Sequence, residues 1–215
     1  MVSAFTVLSL TWLLPIILKN KKIYFYVIYS IMAIVIGLRD STVGSDTGNY
    51  FFVLTAFVES PDFSLIYYLE LGIRILVWLG ATLAGDIWGA FLLCAIVTYS
   101  VLGYFIYRVT DDRYYWLATF LVVALGFFFF SANALRQAVA IPILACSIFP
   151  FAREQYLKAG FLILVAWLFH YTAISFLVLL PFVKLFHVLK KGGQSMLLCV
   201  WVPVLCFFFT ILVGY

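Results

Sequence analysis

The sequence predicts an all-α, polytopic membrane protein of about eight transmembrane helices, one pair of them a short hairpin, with an interfacial or re-entrant helix near 65–84. Three observations carry that prediction. Of the 215 residues, 67% are hydrophobic and only 10% are charged, and the mean hydropathy is +1.17. A soluble domain carries about 25% charged residues to cover its surface, so the solvent around this chain must be lipid. The 23 Phe, 14 Tyr and 6 Trp residues fit wide lipid contact with aromatic belts at its edges. Finally, the charges fall in short clusters between apolar runs, where a membrane protein keeps its loops.

A helix needs roughly 20 apolar residues to cross the hydrocarbon, with about 17 as a minimum. On that rule the spans are 2–18, 23–38, 87–107, 114–130 and 134–150, then a hairpin over 157–186 with its tip near His170, and finally 195–214. No basic residue precedes the first run and no A-x-A-like exit follows it, so it reads as a retained span with the N-terminus outside. The stretch 71–84 is shorter and contains Arg74, which suits an interfacial or re-entrant helix. The whole chain 1–215 forms a single transmembrane domain with an external loop over 39–86.

The positive-inside rule supports this assignment. With Lys19, Lys21 and Lys22 cytoplasmic, Arg108, Arg113, Arg153, Lys158, Lys184, Lys190 and Lys191 follow them, which makes ten of the thirteen basic residues. Segment 39–66 holds one Arg against Asp40, Asp46, Glu59 and Asp62. Letting 71–84 cross would move four basic residues outside. The net charge of +4 is therefore topological and implies no nucleic-acid partner. Cys94, Cys146, Cys199 and Cys206 all lie in apolar stretches without a CxxC pair, and no cluster has metal-ligand spacing. No metal and no cofactor is implied.

Arg39, Arg74 and Arg136 remain on the external side, and ionisable groups at the membrane edge are functional candidates by default. Arg39 opens the turn-rich segment RDSTVGSDTGNY, 39–50, where Gly44 and Gly48 let backbone approach a ligand. An Arg snorkelling to headgroups, with Asp46 or Thr47 capping a helix that begins near Asn49, explains the same residues structurally. Arg136, one turn into a span in NALRQ, needs a carboxylate or phosphate partner. Asp40, Asp46 and Glu70 are its structural options. Glu70 and Arg74, spaced i, i+4, are expected to pair on one helix face. His170 in WLFHYTAIS is either a hydrogen-bonded core residue or a general base at the hairpin tip. Asp111–Asp112 reads as a solvated turn, and His187 as an interfacial bystander.

Together these residues suit a substrate with an anionic phosphate and a sugar hydroxyl. Arginines would stabilise a departing pyrophosphate while a carboxylate or His takes the hydroxyl proton. In order along the chain, RDSTVGSDTGNY (39–50), YLELG (68–72), NALRQA (133–138) and LFHYTA (168–173) resemble the EpsG family of Wzy-type polysaccharide polymerases over roughly residues 20–185.

The resemblance implies a multi-pass enzyme of a bacterial inner or plasma membrane, acting at the external face in capsule, exopolysaccharide or O-antigen synthesis. Such enzymes are glycosyltransferases that join oligosaccharide repeat units carried on undecaprenyl diphosphate. Their partners are that lipid-linked glycan and the bilayer, with flippase and chain-length regulator proteins alongside. Carried over by residue, Arg39 and Arg136 contact the diphosphate, and Asp46, Glu70 and His170 are the catalytic candidates. Asp40, Thr47, Tyr50, Asn133 and Gln137, in the same stretches, are substrate-binding candidates. The chain stops at Gly214–Tyr215 inside an apolar run, which implies a domain incomplete at its C-terminus. A transporter or flippase of lipid-linked sugars, a membrane acyltransferase and a non-catalytic assembly subunit are the competing functions.

Overall fold

The computed structural model describes residues 4–44, 47–60 and 62–177, and every regular element among them is helical. Asp46, the second arm of the 157–186 hairpin beyond 177, and the span 195–214 lie outside the described residues. Helix α1 (Ala4–Ile17) is followed by α2 (Lys21–Gly37), which Asn20 starts by accepting the Ile23 N–H at 3.2 Å. The loop after Arg39 leads into α3 (Thr47–Glu59), a 3-10 turn at Phe63–Ile66 and α4 (Leu71–Ala84). Then come α5 (Ile87–Val109), α6 (Tyr115–Ala124), α7 (Phe127–Asn133), α8 (Leu135–Cys146) and α9 (Ile148–Ala152). Helix α10 (Tyr156–Trp167) ends in a turn at 168–170 and a second 3-10 turn at Tyr171–Ile174.

Two of these helical stretches are long and apolar enough to cross a membrane, Ile87–Val109 and the continuous rod Leu135–Ala152. A third is reached when α6 and α7, bent by 48° at Leu125–Gly126, act as one span. Gly126 makes that bend with a φ of 92°, open to glycine at no steric cost. The N-terminal, 71–84 and 156–167 helices are apolar but shorter.

Helix α5 is the central mast, and its two faces organise two cores. Ala95, Tyr99, Leu102 and Ile106 pack with Val7 of α1, the buried stripe Tyr24–Ile28–Met32–Ile36 of α2, and Val123 and Phe128 from α6 and α7. Ile87, Ala90, Phe91 and Cys94 pack instead with Leu54 and Phe57 of α3, Ile73 and Val77 of α4, and Val139 and Ile143 of α8. The helical 3.6-residue period produces both faces from one run of apolar residues.

The stretch 71–84 turns out to be a hairpin arm of α5. Gly85 closes α4 in the left-handed conformation at φ 72°, and Asp86 caps α5 by accepting the Gly89 N–H at 3.0 Å. Folded back through this short turn, Gly80 and Gly89 bring the two backbones into direct contact, where any side chain would strike the opposite main chain.

Candidate functional site

Three backbone devices deliver the polar side chains to one place. The first is the start of α4. Glu70 sits just before the helix with extended backbone (φ −63°, ψ 150°), so its side chain leaves the α4 surface instead of lying along it. Two residues on, the Gly72 N–H donates to the Leu168 carbonyl at 2.7 Å, satisfying one of the orphan donors of the first turn. A Cβ at Gly72 would come 2.8 Å from that carbonyl and from the Phe169 ring. Glycine there lets the start of α4 dock on the turn after α10, and this brings Glu70 to His170.

The second device is the break between α7 and α8 at Ala134, which puts Arg136 and Gln137 in the first turn of α8. The third is the 39–47 loop. Gly44, at φ 98°, lies so close to the break that a Cβ would meet the Ala132 carbonyl at 2.6 Å. Thr47, fully buried as the first residue of α3, donates its hydroxyl to the same carbonyl at 3.1 Å. One turn along α3, Tyr50 faces Arg136.

The result is a connected polar cluster. Arg136 Nη1 donates to Glu70 Oε2 at 3.1 Å, and Arg136 Nε donates to the Tyr50 hydroxyl at 3.0 Å. The second carboxylate oxygen, Oε1, lies 3.3 Å from His170 Nδ1, at ion-pair distance but too poorly aligned for a strong hydrogen bond. It also accepts a long bond from the Tyr171 N–H at 3.4 Å. The Gln137 side-chain nitrogen donates to His170 Nε2 at 3.2 Å. Nε2 is thereby the acceptor, and a neutral ring carries its proton on Nδ1, facing Glu70. Burial by itself would raise the Glu70 carboxyl. The contacts with His170 and the Arg136 guanidinium outweigh it and hold the group down at about 2.

Arg39 forms a second, adjoining arrangement. The residue is 5% exposed, with Nε donating to Thr47 Oγ1 at 3.1 Å and Nη1 to the Ile36 carbonyl at 2.8 Å. The guanidinium lies 4.6 Å over the Phe91 ring, and Nη2 is buried without a partner. Burial lowers the Arg39 pKa to about 10, so the group remains a cation near neutral pH. Thr47 thus ties Arg39 to the α7–α8 break that carries Arg136.

The expected residues divide accordingly. Glu70, Arg136, His170, Tyr50 and Gln137 meet in one cluster, with Arg39 and Thr47 beside it. Asn133, at the break, bonds its amide to the Phe129 carbonyl at 3.1 Å. Asp40 is exposed, and its carboxylate accepts both the Thr42 N–H and hydroxyl, which lower its pKa. The expected Glu70–Arg74 pair does not form. Glu70 precedes the helix and turns to Arg136, while the Arg74 guanidinium lies 5.3 Å over the Tyr67 ring. Gly72 is the functional position missed from sequence. Its one signal is a glycine in the first turn of a predicted helix, beside a carboxylate.

An apolar cavity of about 520 Å³ adjoins the cluster, with Gln137 and His170 at one end and Leu144 and Ile148 at the other. The arrangement brings an imidazole, a carboxylate, a guanidinium and an apolar wall together.

Neither the curated proteins nor the solved structures provide a significant match to this chain. The family model does, and it covers residues 22–215, including every residue of the cluster. The chain belongs to the EpsG family, which places it among the membrane proteins of polysaccharide synthesis.

Proposed function

We propose that this protein is a polysaccharide polymerase that joins oligosaccharide repeat units carried on undecaprenyl diphosphate, working at the external face of a bacterial inner or plasma membrane. The observation that carries the reading is the Glu70 carboxylate bridging Arg136 and His170. In this scheme His170 is the base and Glu70 its orienter. A carboxylate held at about 2 is a weak proton acceptor, which leaves Nε2 of His170 as the acceptor in the cluster.

The step balances simply. The acceptor-sugar hydroxyl displaces Gln137 from Nε2 and gives its proton to His170, and its oxygen bonds the anomeric carbon of the donor glycan. The bond from that carbon to the diphosphate oxygen breaks, and the lipid diphosphate leaves with the electron pair. Glu70 stabilises the imidazolium, and Arg136 stabilises the charge growing on the diphosphate. Arg39, with Nη2 left over, is the second candidate for the diphosphate. Asp46, Thr47, Asp40, Asn133, Gln137 and Tyr50 are candidates for holding the sugars. Around this site the reading keeps about eight spans with the N-terminus outside.

The test is complementation of a polymerase-deficient strain. His170→Ala and Arg136→Ala should give inserted protein, no polymer, and accumulation of single repeat units. Normal polymer length in both variants would sink the proposal.

A further inference from the structure

Two apolar cavities flank one ridge of α5 and reach the end of the bundle that carries Arg108. The first, about 670 Å³, lies between α2 and α5, walled by residues such as Phe25, Ile34 and Ile96. The second, about 900 Å³, lies between α5, α8–α9 and α10, walled by Ile143, Phe149, Phe161 and Val165. Tyr104 and Arg108, one turn apart on α5, line both. The Arg108 guanidinium is held over the rings of Tyr104 at 5.9 Å and Phe149 at 5.6 Å, which fixes it on the crest between the cavities. Lys22 lines the first cavity, and Arg153 and Lys158 line the second.

These cations have no carboxylate partner among the described residues. Among the described residues Lys21 is paired with Asp112 at 3.3 Å, but Lys22, Arg108, Arg153 and Lys158 enter no ion pair. Asp111 and Glu154, the other acids at this end, are exposed and unpaired there as well. Residues 178–215 contain no Asp or Glu. Topology alone explains why basic residues collect at one end of a membrane protein. It does not explain why one arginine is stacked on a crest shared by two apolar cavities.

We propose that the crest binds a two-chain anionic phospholipid, its phosphate on Arg108 between Lys22 and Lys158, with one acyl chain in each cavity. Arginine's planar fork suits a phosphate diester, and basic pockets between membrane helices are known sites for acidic headgroups. Both cavities fall within the usual range for small-molecule sites, about 300–1,000 Å³. A single-chain polyprenyl phosphate would leave one of them unfilled. A zwitterionic lipid would leave the cations uncompensated. This site is separate from the Glu70 cluster and its existence does not depend on the chemistry proposed there.

The test uses the full chain in detergent, titrated with dioleoyl phosphatidylglycerol, dioleoyl phosphatidylcholine, lyso-phosphatidylglycerol and a polyprenyl monophosphate. Binding is read by native mass spectrometry. One phosphatidylglycerol should bind about tenfold more tightly than each of the other three. Arg108→Gln should weaken it about tenfold, and the double variant Lys22→Gln/Lys158→Gln, which disturbs no ring stacked between the cavities, should do the same. Glu70→Gln should leave it unchanged. Equal binding of phosphatidylcholine overturns the proposal. So does equal binding of the lyso lipid or the polyprenyl phosphate, or phosphatidylglycerol binding that survives the double substitution.

Discussion

At the scale of single residues, Glu70 holds the most leverage. Its two oxygens serve two elements that are far apart in the chain, Arg136 in α8 and His170 after α10. Glu70→Gln keeps the shape but leaves the Arg136 guanidinium, whose side chain is 30% exposed, without its carboxylate. The expected loss is about 1–2 kcal/mol, below that of a fully buried pair because solvent still reaches the arginine. A thermal melt in detergent measures it. The pH dependence has a definite sign. The folded value of about 2 lies below the ordinary 4.5, so the stabilisation is full above the ordinary carboxylate range and is lost as pH falls through about 2. The gap in melting temperature between wild type and Glu70→Gln should therefore stay constant from about pH 7 to about pH 5. A gap that fails to close as pH falls from about 4.5 to about 2 would mean that Glu70 titrates normally. His170→Ala should lower polymer synthesis by about 100-fold to 10,000-fold, the range for a general base. His170→Gln, which restores bulk without the base, should not recover it.

Elements are positioned by glycines at contacts where no Cβ fits. Gly72→Ala would push the start of α4 off the Leu168 carbonyl, break the 2.7 Å bond there, and draw Glu70 away from His170. It should abolish polymer with only about 1–3 kcal/mol of lost stability, since overpacking is relieved by small shifts. Wild-type activity in Gly72→Ala would show that the docking is dispensable. Gly80→Val acts on the other end of the same helix, where it meets Gly89 and the Ala90 Cα. It should split the α4–α5 hairpin and lower the melting temperature more than Gly72→Ala does. The contrast separates a fault in site geometry from a fault in packing.

The whole molecule is arranged about α5, with one core on each face and polar clusters towards opposite ends. Arg39, Glu70, Arg136 and His170 lie towards one end, and Lys22, Arg108, Arg153 and Lys158 lie at the other. If the first end is external, cysteines placed at the exposed positions Thr42 and Tyr67 should react with an impermeant thiol reagent in intact cells. Cysteines at the exposed positions Asp111 and Gln155 should react only after the membrane is opened. Cys94 and Cys146 are buried and give little background once Cys199 and Cys206 are replaced. The reverse labelling pattern would invert the proposed sidedness.

Much of this was legible in the chain itself. Composition and hydropathy dictate a helical membrane protein, because only lipid tolerates so apolar a surface and only internally bonded backbone tolerates lipid. The basic residues left on the external side, Arg39, Arg74 and Arg136, stood out for the same reason: an ion near hydrocarbon must have a partner. Sequence could not say which partner. Spacing along a helix favoured Arg74 for Glu70, but a residue just ahead of a helix does not share its face, and the extended backbone at Glu70 turns the carboxylate to Arg136 instead. Nor could sequence reveal that Gly72 exists to admit the Leu168 carbonyl, or that Arg108 stands between two cavities, because both depend on elements brought together from distant parts of the chain. Solvent preference is a property of each residue and is written locally. Pairing is a property of neighbours in space, and only the tertiary structure decides it.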